Sequence, residues 1–116
     1  MRVVNYLEVE PLKSAPGIGD LPPGLVLRKV TGSQDNASFT MRVVEHTPSD
    51  TPPHGMHSHS WEHQMFVVSG QGAAIGEKGE ISLKAGDVVF IPADEPHTLA
   101  PRGDKPFLFV DCVSTL

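Results

Sequence analysis

The sequence predicts an all-β domain, either a closed barrel or a sandwich of two sheets. About nine or ten short segments of strand-like composition alternate with turn residues along the chain. The 116 residues include 11 glycines and 11 prolines, which leaves little room for long helices. No segment carries the apolar stripe of an amphipathic helix. The strand pattern alone does not choose between the barrel and the sandwich.

The whole chain is predicted to form one domain. Residues 1–24 are expected to be an N-terminal arm with a first edge strand, able to reach a second subunit, so a homodimer is expected. Residues 25–116 are expected to form the barrel. Within it, residues 25–30 and 38–45 are predicted strands, and the turn-forming composition of residues 32–36 indicates a loop between them.

The segment 38–45 has the period of two that is typical of a half-buried strand. Its Phe39 and Met41 are interpreted as core residues or as residues that line a pocket, and Phe90 is interpreted in the same way. Arg42 lies on the opposite face of the strand from Met41 and is therefore expected to face solvent.

The remaining predicted strands follow at short intervals, separated by glycine and proline turns. They are residues 63–69, 73–75, 80–83, 88–91, 97–99 and 107–113. Gly70 and Gly72 permit a sharp turn, and the Gly-Glu-Lys-Gly segment at 76–79 is predicted to join two strands as a hairpin.

Charge and composition argue against several classes of function. The formal net charge is −5 and no lysine or arginine cluster occurs, so neither nucleic acid nor a membrane is an expected partner. The N-terminal segment turns polar early and no segment approaches membrane-spanning length, so a cytoplasmic protein is expected. Cys112 is the single cysteine, which excludes an internal disulfide.

Four of the six histidines lie between His54 and His63, and this density indicates a metal site. Residues two apart on a strand point to one face, so His57 and His59 are able to bind one divalent transition-metal ion. A third ligand has to come from another strand. His63 is close enough in sequence to supply it, and Glu62 and Gln64 are competing candidates.

Two segments resemble the paired motifs of the cupin superfamily. Residues 57–70 match the first motif, a His-x-His pair followed by an acidic ligand and a glycine, except that His63 replaces the acid. Residues 86–97 match the second motif, which ends in a histidine, here His97, and Asp94 stands where that motif has glycine.

The resemblance implies a double-stranded β-helix, which is a jelly-roll barrel, and usually a dimer. It also implies one divalent ion (Mn, Fe, Ni, Zn or Cu) in the barrel mouth, held by His57, His59, His63 and His97 as in tetrahistidine cupins. Four neutral imidazoles leave the charge of the ion uncompensated, which favours Lewis-acid chemistry. A six-coordinate ion would keep two positions for water, oxygen or a chelating anionic substrate.

Other side chains near the motifs are candidates for a pocket or for support of the ligands. They are Glu62, Gln64, His54, Trp61, Met41, Phe39 and Phe90. Trp61, in the turn between ligands, is expected to pack on the barrel rim. No catalytic residue is assigned, and Glu62, His54 and Tyr6 are the only candidates for a base.

Two classes of function follow from the predicted site. The first is a metalloenzyme acting on a small oxygenated organic substrate, as a dioxygenase or oxidase or, alternatively, as a sugar or uronate isomerase. Because the sequence shows no obvious base for isomerisation, oxygen chemistry ranks first. The second class is a non-enzymatic cupin that binds a small ligand or a metal ion.

Overall fold

The computed structural model describes residues 1–49 and 55–115, and these residues form ten strands and two short 3₁₀ helices. The prediction of an all-β fold is therefore confirmed. Within the described ranges, no helix has the length and hydropathy needed to cross a membrane. The 3₁₀ helices are Tyr6–Glu8 and Ser33–Asp35, and the second is a tighter turn inside the loop predicted at residues 32–36.

The strands form three antiparallel sheets that together make a jelly-roll barrel. The larger sheet contains, in spatial order, β3 (Leu25–Thr31), β4 (Phe39–His46), β10 (Phe107–Ser114), β5 (His63–Ser69) and β8 (Val88–Ile91). The facing sheet contains β7 (Gly79–Lys84), β6 (Gln71–Gly76) and β9 (His97–Arg102). The third sheet is a hairpin of β1 (Ser14–Ala15) and β2 (Gly19–Asp20) in the N-terminal arm. The double-stranded β-helix implied by the motifs is confirmed.

The core lies between the two larger sheets and is built from inward-facing side chains. Its fully buried members include Leu27, Val44, Met65, Val67, Phe107 and Phe109. The N-terminal arm closes one side of this core, because Ala15 is buried in it and Ile18 packs against it. The Leu12 amide also donates a hydrogen bond to the Leu27 carbonyl at 2.9 Å. In this structure the arm thus contacts its own barrel.

The prediction of which face of β4 lies in the core was wrong. Phe39 and Met41 are 67 % and 39 % exposed, whereas Arg42 is only 9 % exposed. Phe90, which was also interpreted as core, is 59 % exposed. For β4, the physical reason is an ion pair inside the barrel between Arg42 and Asp111 of the neighbouring β10. Because side chains alternate along a strand, this pair turns Arg42 inward and its neighbours Phe39 and Met41 outward.

Gly70 marks the point where the chain leaves the larger sheet and enters the facing one. Its φ angle is +79°, a left-handed conformation that L side chains rarely adopt. A Cβ atom on Gly70 would lie 2.1 Å from the carbonyl oxygen of Pro106, just before β10 begins. Both the backbone conformation and the close packing therefore require glycine here.

We predict that Gly70→Ala lowers the free energy of unfolding by more than about 2 kcal/mol, since it combines left-handed strain with a backbone clash. Urea denaturation measures this loss. Gly19→Ala is the matched control, because Gly19 has a similar φ of +72° but no atom within 4 Å of the added Cβ. Equal losses in the two variants would show that the contact with Pro106 is not a constraint.

Candidate metal centre

Backbone pairing brings the predicted histidines together from both sheets. His63 begins β5 in the larger sheet, and His97 begins β9 in the facing sheet. His57 lies outside the strands but pairs with His97, since each amide donates to the other's carbonyl at 2.9 Å. His59 is held near them because its carbonyl accepts a hydrogen bond from the Asp94 amide at 2.7 Å.

Asp94 explains one departure from the second motif. Its φ angle is +67°, in the left-handed region. Glycine is the usual residue for such a conformation, and aspartate is among the few others that tolerate it. Asp94 therefore keeps the turn that positions the His59 carbonyl, even without the glycine of the motif.

The imidazoles of His57, His59 and His97 are placed for a metal ion. Each offers one ring nitrogen, and these nitrogens lie within 4.8 Å of one another. The ring of His63 belongs to the same cluster, with its centroid 4.7 Å from that of His59 and 5.1 Å from that of His97. All four imidazoles thus meet at one place in the barrel.

Hydrogen bonds fix the orientation of three of these rings. The Nδ1–H groups of His59 and His97 donate to the carbonyls of Trp61 and Glu95, each at 2.8 Å. The Nδ1–H of His63 donates to Oδ1 of Asp111 at 3.0 Å. A neutral imidazole has one N–H, so Nε2 of each of these rings carries a lone pair.

The lone pairs test whether the site suits a cation. Nε2 of His59 and Nε2 of His63 are 2.8 Å apart, and neither carries a hydrogen when both Nδ1 atoms donate. Two lone pairs at this distance repel each other unless a positive charge is shared between them. Nitrogens bound at right angles to one ion, each at about 2.0–2.1 Å, lie about 3 Å apart. The spacing therefore fits adjacent ligands of a transition-metal ion.

Two further ring nitrogens support the same conclusion. Nδ1 of His57 and Nε2 of His97 are buried and have no hydrogen-bond partner among the described residues. Buried polar atoms are nearly always paired, so an unpaired nitrogen beside other histidines is typical of a ligand position. The residues present fit a divalent ion with imidazole ligands.

The environment favours the neutral form of His57, His59 and His97, which is the form that binds a metal ion. Burial, followed by the neighbouring imidazole of His97, lowers the pKa of His57 to about 4. Burial is also the main reason that the pKa values of His59 and His97 are lowered. Protons therefore compete with a metal ion for these nitrogens only under acidic conditions.

Sequence analysis missed Asp111 beside the site and placed its partner Arg42 on the solvent face. Asp111, on β10, is 1 % exposed and bonds both His63 and Arg42. Burial alone would raise the pKa of the Asp111 carboxyl, but the hydrogen bond from His63 and the charge of Arg42 outweigh it and lower that pKa. The only sequence signal was an acid in the inward row of an otherwise apolar strand, at i, i+2 spacing from Phe109 and Val113.

The structure separates the other predicted pocket residues from the imidazoles, with one exception. Trp61 stacks on the ring of His59, with centroids 4.1 Å apart. The exposed Glu62 and Gln64 bond each other at 2.9 Å. These two residues border an outer cleft with Phe39 and Met41. Phe90 is exposed, and His54 lies outside the described residues.

The four imidazoles border a cavity whose walls are otherwise mainly apolar, although His46 and Thr98 also line it. Among the wall residues are Ile18, Leu25, Leu27, Val44, Leu99 and Phe109. Arg42 and Asp111 also border this cavity, next to the imidazoles. The arrangement therefore places the metal-ligating nitrogens beside a mainly apolar cavity of about 90 Å³.

Comparison with known proteins identifies the family. The cupin domain profile matches residues 42–113, which is more than half of the chain, and the protein therefore belongs to the cupin family. No curated protein sequence matches it.

Solved structures with the same fold differ in the activities that their names state. A polyketide cyclase from Streptomyces resistomycificus is 22 % identical, with a TM-score of 0.82 over 100 % of this chain and 80 % of its own. A predicted oxalate decarboxylase from Thermotoga maritima is 19 % identical, with a TM-score of 0.77 over 99 % of this chain and 100 % of its own. A sugar phosphate isomerase from Silicibacter pomeroyi is 18 % identical, with a TM-score of 0.76 over 99 % of this chain and 76 % of its own. At these identities the similarity establishes the fold and leaves the reaction open.

The lowered histidine pKa values predict how stability depends on pH in the metal-free protein. Between pH 6.5 and 4 the unfolded chain binds more protons at His57 than the folded chain does, so stability falls as the pH falls through this window. His57 is only partly buried, and solvent screening keeps its effect below the limit of about 1.4 kcal/mol per pH unit. Urea unfolding of chelator-treated protein at pH 7 and pH 5 measures the loss.

His57→Gln is the control for this prediction. It removes the titrating group, so its free energy of unfolding should fall less between the two pH values than that of the wild-type protein. An identical loss in both proteins would show that His57 does not cause the pH dependence.

Proposed function

We propose that this cupin is a metal-dependent enzyme acting on a small oxygenated organic substrate, and that His57, His59, His63 and His97 are its four ligands. The observation that carries the proposal is the 2.8 Å approach of the His59 and His63 Nε2 atoms, beside two buried nitrogens without partners. A divalent ion held there supplies Lewis acidity and, if it is iron, manganese or copper, a redox centre for reactions with oxygen.

The chain's own residues would bind and orient the substrate. Mainly apolar walls beside the imidazoles would limit the access of water, which would strengthen electrostatic interactions there. They also disfavour a sugar, because each hydroxyl would exchange hydrogen bonds with water for contact with Leu27, Val44 or Phe109. A catechol, a diketone or a keto acid presents adjacent oxygens at one end and carbon at the other, which suits a cavity that combines imidazoles with mainly apolar walls.

Dioxygenase or oxidase chemistry remains the first proposal for the reaction. The second is a rearrangement without oxygen, such as isomerisation or ring closure of an enolisable ketone. Its support is the Arg42–Asp111 ion pair, which borders the cavity beside the imidazoles, and the fold shared with a polyketide cyclase. The apolar wall favours such a ketone over the sugar or uronate first considered as an isomerase substrate.

Elemental analysis of untagged protein purified without added metal tests the proposed site. We expect about one transition-metal ion per chain, and we expect His57→Ala combined with His59→Ala to lose it while keeping a cooperative unfolding transition. Retention of stoichiometric metal by this double variant would refute the ligand set.

Oxygen uptake with catechols, diketones and keto acids then distinguishes the two reactions. Iron, manganese or copper together with substrate-dependent uptake supports the oxidative reaction. Zinc or nickel without uptake favours the rearrangement, which product analysis with enolisable ketones then tests. Metal binding without any turnover would instead favour a non-enzymatic binding protein.

We also propose that the protein is a homodimer and that a second copy covers the outer face of the larger sheet. Six apolar side chains on this face are exposed, namely Phe39, Met41, Phe66, Val68, Val88 and Phe90. Together they present roughly 500–600 Å² of apolar surface, which approaches the ~800 Å² that each partner buries in a standard interface. The row that contains Phe66 carries one charge, on Arg28 of the edge strand β3. At the centre of the face, this row continues through Val110 and Val43, and the row that contains Phe90 continues through Gln64, Cys112 and Met41, all of which are uncharged. A twofold stack would therefore place no like charges in contact there.

Phe66→Lys should convert the dimer to a monomer, because it would bury an unpaired charge in the interface. Size-exclusion chromatography with light scattering measures the mass. Ile81→Lys is the control, since Ile81 is similarly exposed, at 69 %, but lies on β7 of the facing sheet. A monomeric wild-type protein, or a dimeric Phe66→Lys variant, would contradict the proposed interface.

A further inference from the structure

Asp111 connects the core of the larger sheet with the imidazole cluster. It lies on β10, the central strand of that sheet, in register with Arg42 of β4 on one side and with Met65 of β5 on the other. It is one of the least exposed residues of the described chain, at 1 %. A carboxylate in this position needs partners for both of its oxygens.

The two oxygens of Asp111 accept hydrogen bonds from different side chains. Oδ1 accepts the hydrogen bond from Nδ1 of His63 at 3.0 Å. Oδ2 accepts from Nε of Arg42 at 3.0 Å and also from Nη2 of the same guanidinium. Arg42 therefore holds the carboxylate from one side, and the carboxylate holds the His63 ring from the other.

The contact with Oδ1 determines which nitrogen of His63 faces the other histidines. Because Nδ1–H points to Asp111, Nε2 is left with its lone pair and lies 2.8 Å from Nε2 of His59. The Nδ1–H groups of His59 and His97 instead donate to backbone carbonyls. Among these three rings, His63 alone is oriented by a charged side chain.

His63 is also the residue that departs from the first cupin motif, in which an acidic ligand occupies this position. An acid would supply one negative charge directly to the ion, and a neutral imidazole supplies none. In this protein a carboxylate lies one hydrogen bond behind the imidazole. A carboxylate in that position raises the basicity of the ligand and fixes its orientation.

We infer that Asp111, braced by Arg42, is a positioning residue for the metal centre that orients His63 through the hydrogen bond from its Nδ1 and raises the basicity of its Nε2. The inference rests on the proposed function, because it concerns the same ion. It adds a specific role for two residues outside both motifs. The competing explanation is that Arg42 and Asp111 form only a buried ion pair that stabilises the barrel.

The experiment measures the affinity for Zn²⁺, by competition with a chromophoric chelator, and the visible spectrum of the Co²⁺-loaded protein. Asp111→Asn should weaken Zn²⁺ binding by about 10- to 100-fold, the usual effect of removing a carboxylate behind a histidine ligand. The Co²⁺ spectrum should also change, because the donor strength and the orientation of His63 change. A structural ion pair would not alter this spectrum.

A second variant separates positioning from stability. Asp111→Asn leaves the buried Arg42 without its counter-charge and risks misfolding, whereas Arg42→Met with Asp111→Leu removes both charges and keeps the core apolar. We expect this double variant to unfold cooperatively in urea and still to show the weakened Zn²⁺ affinity. Asp111→Glu, which keeps the charge, should recover part of the affinity.

Two results would overturn the inference, and they are distinguishable. If the folded double variant bound Zn²⁺ as tightly as the wild-type protein and gave the same Co²⁺ spectrum, Asp111 would be structural only and the proposed metal centre would stand. If the wild-type protein bound neither Zn²⁺ nor Co²⁺, the proposed function would fail and the inference with it.

Discussion

The ion pair between Arg42 and Asp111 is the constraint on which the arrangement of the larger sheet depends. A guanidinium that is 9 % exposed needs a counter-charge within the barrel, and Asp111 of the adjacent strand provides it. Side chains alternate along a strand, so burial of Arg42 also turns Thr40 and Val44 inward and Phe39 and Met41 outward. One buried pair thus determines which residues line the cavity and which form the outer face.

The same pair links the stability of the barrel to the chemistry of its mouth. Asp111 contacts both the arginine in the core and a histidine of the imidazole cluster. Buried charges of this kind are seldom optimal for stability, and an apolar replacement of both partners is often tolerated. A role in function would explain why the pair is retained. The hydrogen bond between Asp111 and His63, the residue that replaces the acidic ligand of the motif, supplies such a role.

The two faces of the larger sheet suggest a division of roles. The inner face presents a mainly apolar cavity bordered by four imidazoles, which suits a substrate with a carbon body and adjacent oxygens. The outer face presents aromatic and aliphatic side chains without charge at its centre, which suits contact with a second copy. Structures with the same fold include a cyclase and an isomerase, so the barrel by itself does not define a reaction.

The sequence by itself predicted eight of the ten strands in the described residues, β3 to β10, and the members of the histidine cluster, whereas β1 and β2 were expected only as an arm with an edge strand. Glycine and proline turns delimited β5 and β8 at the same residues that the structure shows, and the two motifs identified His57, His59 and His97 before any geometry was known. These features are local, since turn chemistry and His-x-His spacing act within a few residues of the chain.

Tertiary structure alone decided which face of β4 is buried, which residues Asp111 contacts and how closely the His59 and His63 nitrogens approach each other. Arg42 and Asp111 are 69 residues apart, and nothing near either one identifies its partner. Alternation predicts that a strand has two faces, but both faces of β4 contain apolar residues, so the pattern does not say which is buried. That choice depends on the free energy of a charge pair formed across two strands, and the pair exists only once the sheet has assembled.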